Sequence, residues 1–422
     1  MDTEISLCRL MEPEVMQRPY PLYKALRDAD PVHWDPFLHS WIVTRYADIV
    51  TILSKLSADR TLTAKRLEDM GLAAMSPIIQ VMAKQMLFRD PPYHTRLRTL
   101  CAAAFTPARV AVLRGHIQEI ADALIDGFIG RGTADIVAEM AEPMPAIVTA
   151  EMLGVPVRDH EKLKQWSIDF AEILGNFLHS PDRVARVAQS VRDMTDYFRA
   201  AIHQQETDPH EGLVLSLVRA EVDGARLTEE EIIANCILTM IGGQETSTNL
   251  IGSGLVTLLR HPGEMQMLRD DPALIPSAVE ELLRFESPIQ HTARVAQDDF
   301  MLGGKLIRKG QTVVAVLAAG NRDPERFPNP DVLDLKRGDK SHLAFGWAAH
   351  FCFGAPLARI EGQIAFATLL RRLKNLELAS EDFIWRENLG LRGLSALPVR
   401  FDPVSQELPV SRLELVSAGA HS

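Results

Sequence analysis

His342-Leu-Ala-Phe345-Gly346-Trp-Ala348-Ala-His350-Phe-Cys352-Phe-Gly354-Ala-Pro356 sets one cysteine among small and aromatic residues. Pro356 suits the first turn of a helix. Leu357, Ile360, Ile364 and Leu370 then follow at core spacing. Cys352 therefore lies just ahead of a helix N-terminus, where unpaired N–H groups and the dipole favour an anion. That setting is expected to lower a thiol pKa. A thiolate in an apolar loop is a soft ligand that suits iron. Two other readings stand beside it. A buried cysteine packs as a small, inert hydrophobe. A nucleophilic cysteine needs a base; His350 is near, but the sequence offers nothing to orient it.

Working back along the chain, Thr228-Glu-Glu-Glu231 is a capping box. Nothing stops the helix it opens until His261-Pro262, which gives a rod of about 50 Å. Its flanks are apolar: Ile232, Ile233, Cys236, Ile237, Met240 and Ile241 on one side of the middle, Leu250, Ile251, Leu255 and Leu258 on the other. Such a helix belongs in the centre of a fold. In its middle sits Gly242-Gly243-Gln244-Glu245-Thr246-Ser247-Thr248-Asn249. Each interior glycine costs about 1 kcal/mol against alanine, and buried polar groups cost more unless paired. One explanation is a cavity in which a flat ligand or O2 approaches the backbone while an acid and an alcohol relay protons. The other is a kinked helix with a satisfied polar network.

The whole chain frames these two segments. Division of 422 residues by a typical domain size suggests about three domains. With 46% hydrophobic and 24% charged residues, a large core is expected and wholesale disorder is not. The formal charge of −11 argues against a general nucleic-acid binder but leaves room for a local basic patch that meets an acidic partner. Cys8, Cys101, Cys236 and Cys352 form neither a disulfide framework nor a C-x-x-C zinc pattern, which suits a reducing compartment. The N-terminus carries acids where a signal peptide needs bases. No stretch reaches the roughly 20 apolar residues of a membrane span. The expectation is a cytoplasmic protein outside the membrane.

Periodicity predicts a hairpin over 31–44 and a helix from Tyr46 to Leu53. Residues 60–90 are expected to form a long loop with a short helix near Ile78–Met86; such loops are usually functional. Helical segments follow at His94–Phe105, Arg109–Ile129, Ala141–Leu153, Arg158–Leu174, Pro181–Gln204, Leu213–Val222 and Thr228–Arg260. Strands are predicted at Thr292–Ala296, Phe300–Leu302, Thr312–Leu317 and near Ala396–Phe401. The fold class is therefore mainly α, an α+β protein with a small β portion. A single large domain over 1–405 is expected, with a loose tail at 406–422.

Phe345-Gly-x-x-x-His350-x-Cys352-x-Gly354 resembles the haem-binding loop of the cytochrome P450 superfamily. Three further motifs fall in that family's order. Gly242-Gly-x-Glu245-Thr246 resembles the oxygen-activation segment, Glu281-Leu-Leu-Arg284 the E-x-x-R pair, and His94-Thr-Arg-Leu-Arg98 the haem-facing H-x-x-x-R. Each is weak alone. Four in order, within a resemblance that covers about residues 18 to 403, are specific. The style is similar to that of soluble bacterial members acting on polyketides and macrolides. One departure is Ala348, where the family usually has glycine for tight backbone geometry beside the haem.

The resemblance implies roles. Cys352 is carried over as the axial thiolate, and His94, Arg98, Arg294 and His350 as cation or N–H partners of the haem propionates. Glu281 and Arg284, with Arg337, resemble a structural charge triad, and Ser277 reads as the cap of their helix. Glu245 and Thr246 would manage protons. The cofactor would be haem b and the activity a monooxygenase that inserts one atom of O2 into a lipophilic molecule. Fatty-acid or terpenoid hydroxylation, and peroxide-driven or isomerising haem chemistry, are the alternatives. Met82, Met86, Leu87, Leu238, Ile241, Gly242, Ile289, Gln290, Thr292, Gly393 and Leu394 are candidates for substrate contact. The chain leaves no room for a flavin or ferredoxin module, so electrons would come from a separate ferredoxin or flavodoxin with its reductase, delivered to a monomer.

Overall fold

The computed structural model describes residues 5–59, 75–102, 107–176, 180–222 and 224–403. Residues 60–74 of the loop expected over 60–90, and the tail at 406–422, lie outside them. Strands β1 (Val32–Asp35) and β2 (Ser40–Val43) form the expected hairpin, and helix α1 (Tyr46–Lys55) follows. A helix at Ser76–Met82 matches the one expected inside the 60–90 stretch. Then come α2 (Tyr93–Ala102), α3 (Pro107–Asp126), α4 (Pro143–Leu153), α5 (His160–Ala171), α6 (Pro181–Thr207) and the long α7 (Glu229–Leu259). Helix α8 (Ile275–Phe285) precedes β3 (Thr292–Val295) and β4 (Thr312–Ala315), and α9 (Ala355–Arg372) follows the cysteine loop.

The main sheet has the order β1-β2-β4-β3, with β4 parallel to β2 and antiparallel to β3. Its inner face buries Val32, Val43 and Val313 against Ile49 and Ile52 of α1. Leu343, at the start of the cysteine loop, belongs to the same apolar cluster and so ties the loop to the sheet. Among the described residues no helix is long and apolar enough to cross a membrane.

Helix α7 is central: α4, α5, α6 and α9 all pack on it. Both halves of its capping box form, with Thr228 bonding the Glu231 N–H and Glu231 bonding back to the Thr228 N–H. The glycines of its notch serve packing as well as access. A Cβ on Gly243 would sit 2.8 Å from Thr149 Oγ1 of α4, whereas one on Gly242 would meet nothing within 4 Å.

Two local readings are corrected. The stretch expected as helix to Val222 ends at Arg219, because Glu221–Val222 pairs with Ala225–Arg226 as a small hairpin. Helix α8 begins at Ile275 with Pro276 in its first turn, so Ser277 lies inside it. The Ser277 hydroxyl is buried with no partner, and Glu280 turns away to other groups. The start signal was Pro276, not a capping box.

Candidate active site

Within α7, residues 231–258 are buried except Leu238, Gly242, Gly243 and Thr246. Leu238, Gly242 and Thr246 are spaced i, i+4, i+8 and so form one stripe. A helix enclosed by four others exposes such a stripe only where it borders an internal space. Thr246 Oγ1 donates to Gly242 O at 2.7 Å. Its neighbour Glu245 points elsewhere: its Oε2 accepts from Arg386 Nη1 at 3.0 Å. Burial pushes the Glu245 pKa up; Arg386 pulls it down and Glu142 adds to the rise. The acid and the alcohol thus have separate surroundings, although they are adjacent in sequence.

One residue on, Ser247 Oγ donates to Glu361 Oε2 of α9 at 2.5 Å. Glu361 is buried, its Oε1 has no hydrogen-bond partner, and burial pushes its pKa up to about 8. The side chains of Gln244 and Asn249 are also buried without partners, and so is Thr149 Oγ1. The notch is rich in unsatisfied polar groups. Such groups in a native fold mark either a functional site or bound solvent.

The cysteine loop is braced from one helix. Glu280 of α8 meets His342 Nε2 at 3.1 Å, at the start of the loop, and accepts from Arg359 Nε of α9 at 2.6 Å. Burial alone would raise the Glu280 pKa, but these partners bring it down to about 2. Next to it, Glu281 accepts from Arg284 Nε at 2.7 Å and Arg337 Nε at 3.1 Å. The expected triad is present, and Glu281 and Arg284 are fully buried in it.

Cys352 is half-buried, and the backbone N–H groups of Gly354 and Ala355 hydrogen-bond to its sulfur. Its thiol pKa nonetheless goes up, contrary to the lowering expected at a helix start. Desolvation outweighs the two N–H groups and the more distant Arg98 and Arg359. A bound cation of the kind that deprotonates a coordinating thiol would supply the missing charge.

The other candidate residues gather around this loop. The His94 and His350 rings lie 4.3 Å apart, and His94 Nδ1 is buried with no partner. The His350 pKa falls to about 4, through burial first and then through Arg294 and His94, with Arg98 adding to it. Burial and Arg98 also lower His94. Arg294 Nη1 donates to Ala293 O at 2.9 Å. His94, Arg98, Arg294, His350 and Cys352 therefore form one electrostatically coupled cluster from α2, β3 and the loop.

This cluster fits a haem. An unpartnered buried imidazole nitrogen and two guanidinium groups would suit its carboxylate arms, and the single sulfur would hold its iron. Among the described residues no group of three or more His, Cys, Asp or Glu side chains could hold a bare metal ion. A lone thiolate matches an iron whose other ligands arrive with the cofactor.

Several candidates for substrate contact have other tasks. Gln290 is buried and bonded to Tyr23 and Ser287. Gly393 packs on Asn249, whose Oδ1 would lie 1.7 Å from any Cβ there. Met86, Ile241 and Leu394 are buried; Leu238, Gly242 and the exposed Leu87 remain open. Sequence reasoning missed Glu361, Arg359 and Arg386. For Glu361 a signal existed, a carboxylate on the apolar stripe of Leu357, Ile360 and Ile364; for Arg386 there was none.

The cytochrome P450 family model matches residues 35–390. The chain is 36% identical to the polyketide biosynthesis cytochrome P450 PksS of Bacillus subtilis, over 92% of this chain and 96% of that one. It is 37% identical to the cytochrome P450 monooxygenase PikC of Streptomyces venezuelae, over 91% of each. The solved structure of P450BioI with a hexadec-9Z-enoic acid ligated acyl carrier protein superposes with a TM-score of 0.87 at 36% identity. It covers 92% of this chain and 100% of its own. With its motifs, fold and relatives in agreement, the chain belongs to the cytochrome P450 family and is a monooxygenase of that family.

Proposed function

We propose that this monooxygenase oxidises a long lipophilic acyl or polyketide-like molecule, with haem b held by Cys352 and its propionates met by His94, Arg98, Arg294 and His350. The observation that carries the cofactor assignment is the cluster itself: two cations and two imidazoles gathered around one sulfur that receives two N–H groups. Haem bound there supplies the iron at which O2 is reduced and split. The protein's own residues do the rest. The Gly354 and Ala355 N–H groups hold the sulfur, the Leu238–Gly242–Thr246 stripe borders the reaction space, and Thr246 and Glu245 hold and pass protons.

The substrate class is supported by what surrounds that stripe and by the relatives. Of the three residues of the stripe, Leu238 and Gly242 are apolar and only Thr246 is polar, as a lipophilic ligand requires. PksS is named for polyketide biosynthesis, and P450BioI was solved with a fatty acyl carrier protein. Electrons come from a separate ferredoxin or flavodoxin with its reductase. Ala348, Ala349 and Phe351 are exposed beside the sulfur and offer it a surface. The four cysteines, none of them in a disulfide, suit the cytoplasm.

The haem-reconstituted chain, reduced under CO, should show the red-shifted Soret band of thiolate ligation, and Cys352→Ser should lose it. A wild-type complex without that band sinks the assignment. Spin-state titrations with fatty acids, polyketides and terpenoids then rank substrates. Long acyl and polyketide chains should shift the spectrum most; a preference for small polar compounds would overturn the substrate class.

A further inference from the structure

The chain segment around Trp385–Leu394 lies far from α7 in sequence, yet it reaches the centre of that helix through one side chain. Arg386 Nη1 donates to Glu245 Oε2 at 3.0 Å. Its Nη2 donates to Glu142 Oε1 at 2.5 Å, just ahead of α4. Its Nε donates to Leu394 O at 3.1 Å, and its own backbone N–H to Gly393 O at 2.9 Å. The guanidinium is thus held on three sides. Its geometry is fixed by the turn that carries it, not by the helix it serves. Glu142 continues outward to Lys164 Nζ of α5 at 3.5 Å, and Lys164 pairs with the exposed Glu161 at 2.7 Å. Side-chain exposure is 8% at Glu245 and 61% at Glu161, so the chain of charges runs from the notch to solvent.

We infer that Arg386 is the positioning residue of the oxygen-activation segment: from outside the helix it fixes the Glu245 carboxylate and couples it, through Glu142 and Lys164, to the surface. This rests on the proton-handling role proposed for Glu245. The charged groups that face Glu245 are Arg386 from the turn and Glu142 ahead of α4, with Lys164 of α5 behind Glu142. Burial and Glu142 both raise the Glu245 pKa and Arg386 opposes them, so the cation keeps the buried acid from becoming a permanently neutral group.

Infrared spectra over a pH series read this directly on the full chain. The carboxyl band absent from Glu245→Gln identifies Glu245. In Arg386→Gln that band should titrate about one to three pH units higher than in the wild type. Arg386→Lys should restore most of the shift, since it keeps the charge. Glu142→Gln should move the midpoint the opposite way, which keeps the test informative should Arg386→Gln fold poorly. An unchanged Glu245 midpoint in both Arg386→Gln and Glu142→Gln overturns the inference. The underlying reading fails separately: Glu245→Gln would then leave peroxide release by the haem-loaded, reductase-driven enzyme unchanged while the infrared shifts persist. Where both hold, Arg386→Gln raises peroxide release several-fold in the wild-type background and not in Glu245→Gln.

Discussion

Glu281 and Glu361 are equally hidden from solvent, each 1% exposed, and both stand on helices that border the cysteine loop. Their surroundings are opposite. Glu281 takes Arg284 and Arg337, with the backbone N–H of Asp334 besides. Glu361 has one serine hydroxyl and an oxygen with no partner. The contrast extends to their neighbours. Glu280, beside Glu281, is pulled down to about 2 by His342 and Arg359, whereas Glu245 on α7 is pushed up by burial. A carboxylate saturated with cations serves as a brace. An under-compensated one sits near the point of gaining or losing a proton, which suits proton transfer. The side that holds the sulfur is built for rigidity, and the side that faces the notch keeps its acids adjustable.

The largest effect should come from cutting the brace. Arg284→Ala leaves Glu281 buried beside a single remaining cation and should cost about 3–5 kcal/mol. Denaturant titration checks it, and a loss under about 1 kcal/mol would break the contrast from the rigid side.

Glu361→Gln tests the adjustable side. The folded-state pKa of Glu361, about 8, lies above its ordinary value, so the native state binds the proton more tightly than the unfolded chain. Its contribution to stability is full below about pH 4.5 and is lost as pH rises toward 8, at up to about 1.4 kcal/mol per pH unit. The difference in unfolding free energy between wild type and Glu361→Gln should therefore change steadily over that interval. Glu280 works in the other direction: its contribution is present above its ordinary pKa and is lost as pH falls toward about 2. A flat difference curve for Glu361→Gln would show that this acid is as locked as Glu280.

Thr246→Ala should change stability by less than about 1 kcal/mol, because the side chain is half-exposed and bonds only a carbonyl of its own helix. Its effect should fall on chemistry, with more peroxide released per electron consumed. Unchanged coupling would remove Thr246 from the proton path.

Much of this was legible in sequence where the signal is local. The capping box and Pro262 bound α7, and the Glu281–Arg284 spacing placed both on one helix face. The Phe345–Gly354 loop announced the sulfur. Ser277 misled because a cap and an interior serine look alike in one sequence, and the proline that starts the helix stands just before it. The rise in the thiol pKa of the free chain was not legible, because the helix start is visible in the sequence and the desolvation of the sulfur is not. Arg386 was invisible: it finds Glu245 across 141 positions, through a turn whose course no local pattern encodes.

The smallest expected effect concerns the one position where the rigid side departs from its own design. The cysteine loop contains two left-handed residues, Gly346 at φ +71° and Ala348 at φ +54°. Glycine adopts that conformation freely, whereas alanine pays about 1–2 kcal/mol through its Cβ. Ala348→Gly relieves that strain but adds about 0.4–1 kcal/mol of chain entropy to the unfolded state. The net gain should be small, about 0.5 kcal/mol. Gly346→Ala should run the other way and lose more, since Gly346, at φ +71° and ψ −158°, occupies a backbone region open essentially to glycine alone. Thermal melts of the two variants, made side by side, settle whether the loop tolerates a methyl group at one left-handed site and not at the other. Equal losses in both would mean that Ala348 packs favourably enough to offset its strain, and that the rigid side has no weak point at the sulfur.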